Sequence, residues 1–171
     1  MAVDMTILVY GCGLLILRGA IYRCALGRSG ITAAKQEGDG ATPVGRFRLR
    51  EAFYRHDRVE VPEGALPVRP IEPIDGWSDD PDDPEYNRRI RLPHQYRHER
   101  LWRDDRLYDL VVPLGYNDDP AVPGLGSAIF LHVAAPDFSP TEGCIALAAA
   151  DLRGVLAQCG PDTDLVVMPR R

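Results

Sequence analysis

One histidine and one cysteine, His132 and Cys144, lie in the apolar segments IFLHV and CIAL, which a short loop with two prolines joins. A cysteine attacks a carbonyl as its thiolate, and a free thiol is only slightly ionised at neutral pH. A neighbouring imidazole can take the proton and hold both groups as an ion pair, which lowers the thiol pKa. The spacing of 12 residues therefore predicts Cys144 as nucleophile and His132 as base. The alternative is a hydrogen-bonded core histidine and a buried structural cysteine.

Gly143 immediately precedes Cys144 in the stretch TEGCIAL. A nucleophile of this kind needs backbone N–H groups aimed at the oxyanion that develops during attack. A glycine lets the chain turn sharply and admits a substrate carbonyl close to the backbone. We expect a helix after Leu147, with its N-terminal end also facing the thiolate.

A second pair of histidines, His94 and His98, lies four residues apart. On a helix this spacing would suit zinc, with His132 or Cys144 as a third ligand of a metallohydrolase. No neighbouring carboxylate completes the usual helical motif, and Pro93 could only begin such a helix. We therefore predict no metal site and no cofactor.

Other polar stretches offer weaker chemistry. The segment DDPDDPE lacks the glycine and the final glutamate of a calcium-binding loop, so a solvated acidic loop is expected. Lys35, Arg46 and Arg48 would either meet substrate carboxylates or form a solvated face.

The elements that must position these residues are mostly strands. The buried side of the strand expected at 45–55 would contain Phe47, Leu49 and either Ala52 or Phe53. The segment 75–93 is predicted to be an acidic loop broken by prolines. Three short strands with tight turns are expected in the first thirty residues, and further strands at 45–55, 106–117, 127–135 and 164–169.

One helix is predicted, over residues 148–158, where Leu152, Val155 and Leu156 form an apolar stripe. The chain contains no internal repeat and no low-complexity linker. We expect a single domain over residues 1–171 with a mainly β (α+β) fold, a β-sandwich or barrel with one main helix after the cysteine.

The 171 residues are 45% hydrophobic and 26% charged, with a formal net charge of −5. This is the composition of a globular protein, and its acidity argues against nucleic acid or an anionic membrane as the main partner. No apolar run reaches the length of a transmembrane segment, and the apolar N-terminus lacks the basic start of a signal peptide. Four cysteines do not make a disulfide scaffold, and Cys12 and Cys24 are either bridged across a hairpin or free.

The segments EGDGATPVGRFRL, GYND, IFLHV and TEGCIAL occur in an order that resembles the catalytic domain of the L,D-transpeptidase family (YkuD-type). The resemblance covers about residues 6–169 and includes TPVGRF at 42–47, the strand ending in His132, and the motif Thr141–Cys144. It implies the β-sandwich or barrel of that family, with its helix after the nucleophile.

Carried over residue by residue, the resemblance implies that Cys144 is acylated, that His132 deprotonates it, and that a backbone carbonyl orients the imidazole. The N–H groups of Gly143 and Cys144 would form the oxyanion hole. Two positions depart from the family pattern, because Glu142 replaces a common histidine and Ala146 a common asparagine or arginine. The spacing from the histidine to the motif is also short, and these features are typical of a short, standalone subgroup.

Further residues are expected to line the substrate cleft. Tyr116 and Asn117 follow a strand end and precede the His132 strand. Glu142 would repel an acidic group, hold an α-amine or lie in solvent. The residues His98, Glu99 and Trp102 would form part of a cleft wall or simply pack. The predicted substrate-binding residues are Tyr116, Asn117, Thr141, Glu142, His98 and Trp102.

The resemblance implies an enzyme that cross-links peptidoglycan stem peptides through a thioester and is acylated by carbapenems. The link would join the third residues of two stems, or the first residue of one to the third of another. With water as acceptor the enzyme would be an L,D-carboxypeptidase or amidase, and a non-catalytic peptidoglycan-binding domain is a further alternative. Donor and acceptor stems would be the partners, and we expect a bacterial monomer in the periplasm, with the cytoplasm as the alternative.

Overall fold

The computed structural model describes residues 5–169, which contain fifteen strands and one α-helix. Their bounds are β1 Thr6–Tyr10, β2 Leu14–Leu17, β3 Ala20–Ala25, β4 Ile31–Thr32, β5 Thr42–Pro43, β6 Gly45–Arg48, β7 Ala52–Tyr54, β8 Val68–Pro70, β9 Asp75–Ser78, β10 Arg89–Arg91, β11 His98–Arg100, β12 Leu110–Pro113, β13 Phe130–Val133, β14 Ile145–Leu147, α1 Ala149–Leu156 and β15 Asp164–Val167.

Ten of these strands form one sheet, in the order β6-β15-β1-β2-β3-β14-β13-β12-β7-β8. The centre of the sheet pairs β13 with β14 in parallel and with β12 in antiparallel orientation. A three-stranded sheet has the order β10-β9-β11, and β4 pairs with β5. The mainly β fold with a helix after Cys144 is confirmed.

Alternating apolar residues place one face of the sheet on the core. Ile7, Val9, Leu15 and Leu17 are at most 1% exposed, while their neighbours in β1 and β2 are partly or fully exposed. All residues of β12, β13 and β14 are buried, so both faces of these central strands are covered.

Two apolar clusters cover the two faces of β13 and β14. The main core contains Leu131 and Ile145 together with Leu152 and Leu156 of α1. The second cluster contains Cys144 with residues that include Phe53, Tyr108, Val111 and Phe130. The apolar stripe of α1 thus packs in the main core, whereas Cys144 belongs to the second cluster.

The helix is three residues shorter than predicted, and its stripe of Leu152, Val155 and Leu156 is buried as expected. The predicted strand 45–55 is divided into β6 and β7. The chain changes partners between them, because the Leu49 N–H donates to Thr163 beside β15 and the Arg50 N–H donates to Pro113 of β12.

The segment 75–93 is not the continuous loop that its proline and acidic content predicted. It contributes β9 and β10, and the buried Asp75 carboxylate accepts hydrogen bonds from Arg89 and Arg91, each at 2.8 Å. These arginines neutralise a charge that the sequence pattern assigned to solvent.

Within residues 5–169, no helix is long and apolar enough to cross a membrane. The cysteines Cys12, Cys24, Cys144 and Cys159 are all free, so the alternative of a Cys12–Cys24 bridge is not realised here.

Candidate functional site

The pairing of β13 with β14 brings the predicted histidine and cysteine to one face of the sheet. His132 lies opposite Ala146, and Leu131 lies opposite Ile145. Because side chains alternate along a strand, Cys144 shares its face with Ala146 and therefore with His132. Both side chains line one cavity of about 430 Å³.

The imidazole of His132 is oriented by a backbone carbonyl. Its Nδ1 lies 2.8 Å from the carbonyl oxygen of Val133, so Nδ1 carries the proton of the neutral ring and donates it there. Nε2 is then the basic nitrogen. Burial lowers the pKa of His132 to about 4, which keeps the ring neutral and able to accept a proton at neutral pH.

The thiol of Cys144 is held by two backbone groups. Its Sγ donates to the carbonyl oxygen of Ala128 at 3.2 Å and accepts from the N–H of Phe130 at 3.4 Å. Burial, followed by the charge of Glu99, raises the pKa of Cys144 to about 12. The predicted resting ion pair with a lowered thiol pKa is therefore wrong, since the apolar cluster around the sulfur disfavours a thiolate.

The carbonyl that holds the thiol depends on a buried amide that the sequence did not indicate. Ala128 has a positive φ of 52°, which non-glycine residues rarely adopt. Its N–H donates to Asn87 Oδ1 at 3.0 Å, and Trp77 donates to the same oxygen. Asn87 thus positions the Ala128 carbonyl against Cys144, and its place in an expected loop gave no signal of this role.

The loop before Cys144 is braced by Thr141. Its hydroxyl donates to the Cys144 carbonyl oxygen at 2.7 Å and accepts from the Gly143 N–H at 3.1 Å. The Gly143 N–H is therefore already engaged, contrary to its predicted place in the oxyanion hole. The Cys144 N–H has no acceptor among residues 5–169, and it lies beside the sulfur.

The motif at 42–47 supports this loop through Thr42 and the neighbouring Gly27. Thr42 Oγ1 accepts from the N–H of Gly27 at 2.9 Å, and Gly27 forms an isolated parallel bridge with Thr141. Gly143 has a φ of 137°, and a Cβ there would lie 2.8 Å from the carbonyl oxygen of Ala41. Both the backbone conformation and the close approach require glycine.

Replacing Gly143 with alanine is expected to destabilise the protein by about 1–3 kcal/mol through backbone strain and the clash with Ala41. A lower melting temperature would show this. Gly154→Ala is the matched control, because its added Cβ would meet nothing within 4 Å. That variant should be neutral or slightly stabilising, and equal melting temperatures for both variants would contradict the prediction.

The predicted substrate-binding residues divide into two groups. Thr141 and Glu142 line the cavity, and exposed Glu142 pairs with Arg28 at 3.0 Å. Tyr116 and Asn117 are not part of the cavity wall. The Tyr116 hydroxyl donates to the Leu125 carbonyl, and the Asn117 side-chain amide forms hydrogen bonds with backbone groups of residues 122–126. Both residues therefore stabilise the loop that contains residues 122–126.

The other two predicted cleft residues also lie outside the cavity wall. Trp102 packs under the guanidinium of Arg55, whose carbon lies 3.6 Å from the ring centroid. His98 Nδ1 lies 2.7 Å from the carbonyl oxygen of Tyr96. The structure therefore does not bring His98 and Trp102 to the wall of this cavity, and their contacts agree with the packing alternative.

The zinc alternative required His94 and His98 on one helix, but His98 begins β11 and no helix is present there. His94 Nε2 instead bonds Asp83 Oδ2 at 2.5 Å. Residues 5–169 contain no cluster of three or more histidine, cysteine, aspartate or glutamate side chains suited to a metal ion.

The cavity wall contains charges of both signs that the sequence prediction largely missed. Arg46 and Arg48 pair with Asp164 away from the cavity, whereas Lys35 does line it. The cations of the wall are Lys35, Arg97 and Arg103, and the anions are Glu37, Asp79, Glu99 and Glu142.

Comparison with known proteins gives one family match. Residues 6–168 match a family model described as YkuD, the L,D-transpeptidase catalytic domain. The sequence matches none of the curated proteins.

Among solved structures, the chain is similar to the helical cell shape determining protein Pgp2 from Campylobacter jejuni, with 16% identity and a TM-score of 0.47 over 98% of this chain and 48% of Pgp2. It is also similar to L,D-transpeptidase 3 from Mycobacterium tuberculosis in complex with a faropenem-derived adduct, with 13% identity and a TM-score of 0.46 over 97% of this chain and 60% of that chain. The chain therefore spans about half to three-fifths of the length of these proteins.

Proposed function

Because the chain belongs to the YkuD family of L,D-transpeptidase catalytic domains, we propose that it is a cysteine-dependent L,D-transpeptidase acting on peptidoglycan stem peptides. One observation carries the proposal. Cys144 and His132 face the same cavity, and the bond from His132 Nδ1 to a carbonyl leaves Nε2 as the base. Roles in cell wall biogenesis and cell shape and a periplasmic location are part of the same proposal.

In the first half-reaction, Cys144 Sγ attacks the carbonyl of an L-configured residue in the donor stem while His132 Nε2 takes the thiol proton. Because the thiol pKa is raised and the imidazole pKa is lowered, the proton moves during the attack and not before it. The Cys144 N–H stabilises the oxyanion. The C–N bond then breaks, and the leaving amine departs with the proton from Nε2, which leaves a thioester.

In the second half-reaction, an amine of an acceptor stem attacks the thioester. The C–S bond breaks, a new amide forms, and the proton lost by the attacking nitrogen returns to the sulfur through His132. The side-chain amine of a diaminopimelate residue is the acceptor in this proposal. The donor carbonyl belongs to the third residue of a stem or, in an atypical link, to the first.

Incubation with purified monomeric muropeptides tests the proposal. The wild-type protein is expected to produce cross-linked dimers, and Cys144→Ala is expected to produce none. Fragmentation of the dimers in a mass spectrometer identifies which residues are linked. Shortened stem peptides without dimers would indicate that the protein is a carboxypeptidase or amidase. Binding to peptidoglycan without any product would indicate a non-catalytic domain and overturn the proposal.

A further inference from the structure

Three residues of the cavity wall, Glu99, Arg103 and Tyr108, form a cluster that the mechanism above does not use. All three line the same cavity as Cys144 and His132. Glu99 lies in β11, and Arg103 and Tyr108 belong to the connection between β11 and β12. The cluster therefore projects from the three-stranded sheet and its connection towards the nucleophile of the large sheet.

Glu99 presents one carboxylate oxygen to the cavity. Its Oε2 accepts a hydrogen bond from the Tyr108 hydroxyl at 2.7 Å, and Oε1 has no partner among residues 5–169. In that part of the chain, no side-chain oxygen or nitrogen shielded from solvent lacks a hydrogen-bond partner. Oε1 is therefore open to the cavity, in a half-buried residue whose other oxygen is fixed.

Arg103 is arranged in a similar way. Its Nε and Nη2 donate to the Asp105 carboxylate, while Nη1 has no acceptor among the described residues. The guanidinium carbon lies 5.0 Å from the centroid of the Tyr108 ring. Glu99 and Arg103 are close enough for each charge to affect the pKa of the other, yet they form no ion pair within 4.0 Å.

Tyr108 connects this cluster to the catalytic residues. Its ring meets the His132 ring edge-on, with centroids 5.3 Å apart. The charge of Glu99 is also the largest electrostatic influence on the Cys144 thiol after burial. A group that contacts both Glu99 and Arg103 would thus occupy the same cavity as an acyl group on Cys144.

A free carboxylate oxygen and a free guanidinium nitrogen on one wall match a ligand that carries an ammonium group next to a carboxylate. We propose that Glu99 and Arg103 form the acceptor subsite, in which Glu99 binds the attacking amine and Arg103 binds the carboxylate on the same carbon. This inference rests on the proposed transpeptidase function and specifies the acceptor as an α-amino acid head group.

Glu99 also supplies a destination for a proton. An acceptor amine arrives as an ammonium ion, and it must lose one proton before its lone pair can attack the thioester. Glu99 takes that proton, and the second proton passes to the departing sulfur through His132. Burial, with smaller effects from Asp79 and Glu37, raises the pKa of Glu99 against the opposing effects of Tyr108 and Arg103. The carboxylate is therefore a better proton acceptor than an exposed one.

A comparison of two acceptors tests the subsite. D-Alanine and D-alaninamide differ only in the carboxylate, so each is supplied separately with donor muropeptides, and the transfer and hydrolysis products are measured by mass. The wild-type protein is expected to prefer D-alanine by about tenfold. Arg103→Gln should remove this preference, and Arg103→Lys should retain part of it.

Glu99→Gln keeps the acceptor oxygen for Tyr108 and removes the charge. It is expected to lower transfer to both amines by about tenfold or more and to increase the share of hydrolysis. Acylation by a carbapenem should persist and should not be slowed, because the variant removes a charge that raises the pKa of Cys144. Glu99→Asp should recover part of the transfer. Glu63→Gln is the matched control, because Glu63 is exposed and lies outside the cavity wall.

The outcomes separate the two proposals. A wild-type protein that forms no acyl-enzyme at all contradicts the transpeptidase function itself. Normal acylation with unchanged ratios of transfer to hydrolysis in Glu99→Gln overturns the subsite alone. Acylation followed only by hydrolysis in the wild type overturns the subsite and also replaces the transpeptidase with a carboxypeptidase or amidase. If Glu99→Gln fails to fold, the loss or retention of acid preference in Arg103→Gln decides the question.

Discussion

Incubation of the wild-type protein with a carbapenem is expected to add the mass of one intact carbapenem molecule, and Cys144→Ala is expected to abolish the adduct. The strained β-lactam amide is opened by the thiol, and no atom leaves because the cleaved nitrogen stays attached to the ring system. The product is a thioester on Cys144 that takes the place of the acyl-enzyme in the proposed reaction. Intact-mass spectrometry measures it directly.

The exposed thiol of Cys12 provides the control for this experiment, because it is the more accessible of the two sulfurs. Cys12→Ala should keep the adduct, since no imidazole or braced loop of the cavity serves Cys12. An adduct on Cys144→Ala, or none on the wild-type protein, would contradict the proposed function. Loss of the adduct in Cys12→Ala would show that Cys12, and not Cys144, is the thiol that reacts.

The juxtaposition of His132 and Cys144 was predictable because its signals are local. The apolar runs around His132 and Cys144 indicate buried strands, and a short loop between them favours neighbouring strands. The structure pairs β13 with β14 in the register that puts both side chains on one face. The helix stripe of Leu152, Val155 and Leu156 was predictable for the same reason, because one helical period within eight residues suffices to define it.

The cavity wall was not predictable, because it is assembled by distant pairings. The strands β9, β10 and β11 have three or four residues each and lie among prolines and acidic residues. No window there is long enough for periodicity, so Asn87 appeared in an expected loop and Glu99 in a segment expected to line a cleft or pack. Tyr108 lay in an expected strand, but nothing local indicated its hydrogen bond to Glu99 of β11. Tyr116 and Asn117 do not reach this cavity wall, and their sequence positions could not show this, because a polar residue after a strand serves a turn as readily as a cleft.

The electrostatic state of the thiol was mispredicted for a related reason. A sequence shows that an imidazole and a thiol are near each other, but it does not show how much water either group retains. Burial by Phe130, Ala128 and their neighbours raises the pKa of Cys144 and lowers that of His132, so both are neutral at rest. Binding of a substrate carbonyl must therefore supply the driving force for proton transfer.

Replacing His132 with alanine is expected to slow carbapenem acylation by about 100- to 10,000-fold, the usual contribution of a positioned general base. A neutral thiol with a pKa of about 12 has very little thiolate at neutral pH, so without Nε2 the attack has no local proton acceptor. His56→Ala is the control, because His56 is exposed and lies outside the cavity wall. Melting temperatures would confirm that both variants are folded.

The pH dependence of acylation distinguishes this mechanism from a resting ion pair. Nε2 accepts a proton only when the imidazole is neutral, so the wild-type rate should rise with increasing pH through about 4 and then level off. The rate of His132→Ala should lack this step and rise only at alkaline pH, as the thiol itself ionises. An ion pair would instead show its rise at the lowered pKa of the thiol and a thiolate that iodoacetamide labels rapidly below neutral pH. Slow labelling of the resting wild-type protein, combined with fast acylation by the carbapenem, is the result that the buried and neutral pair requires.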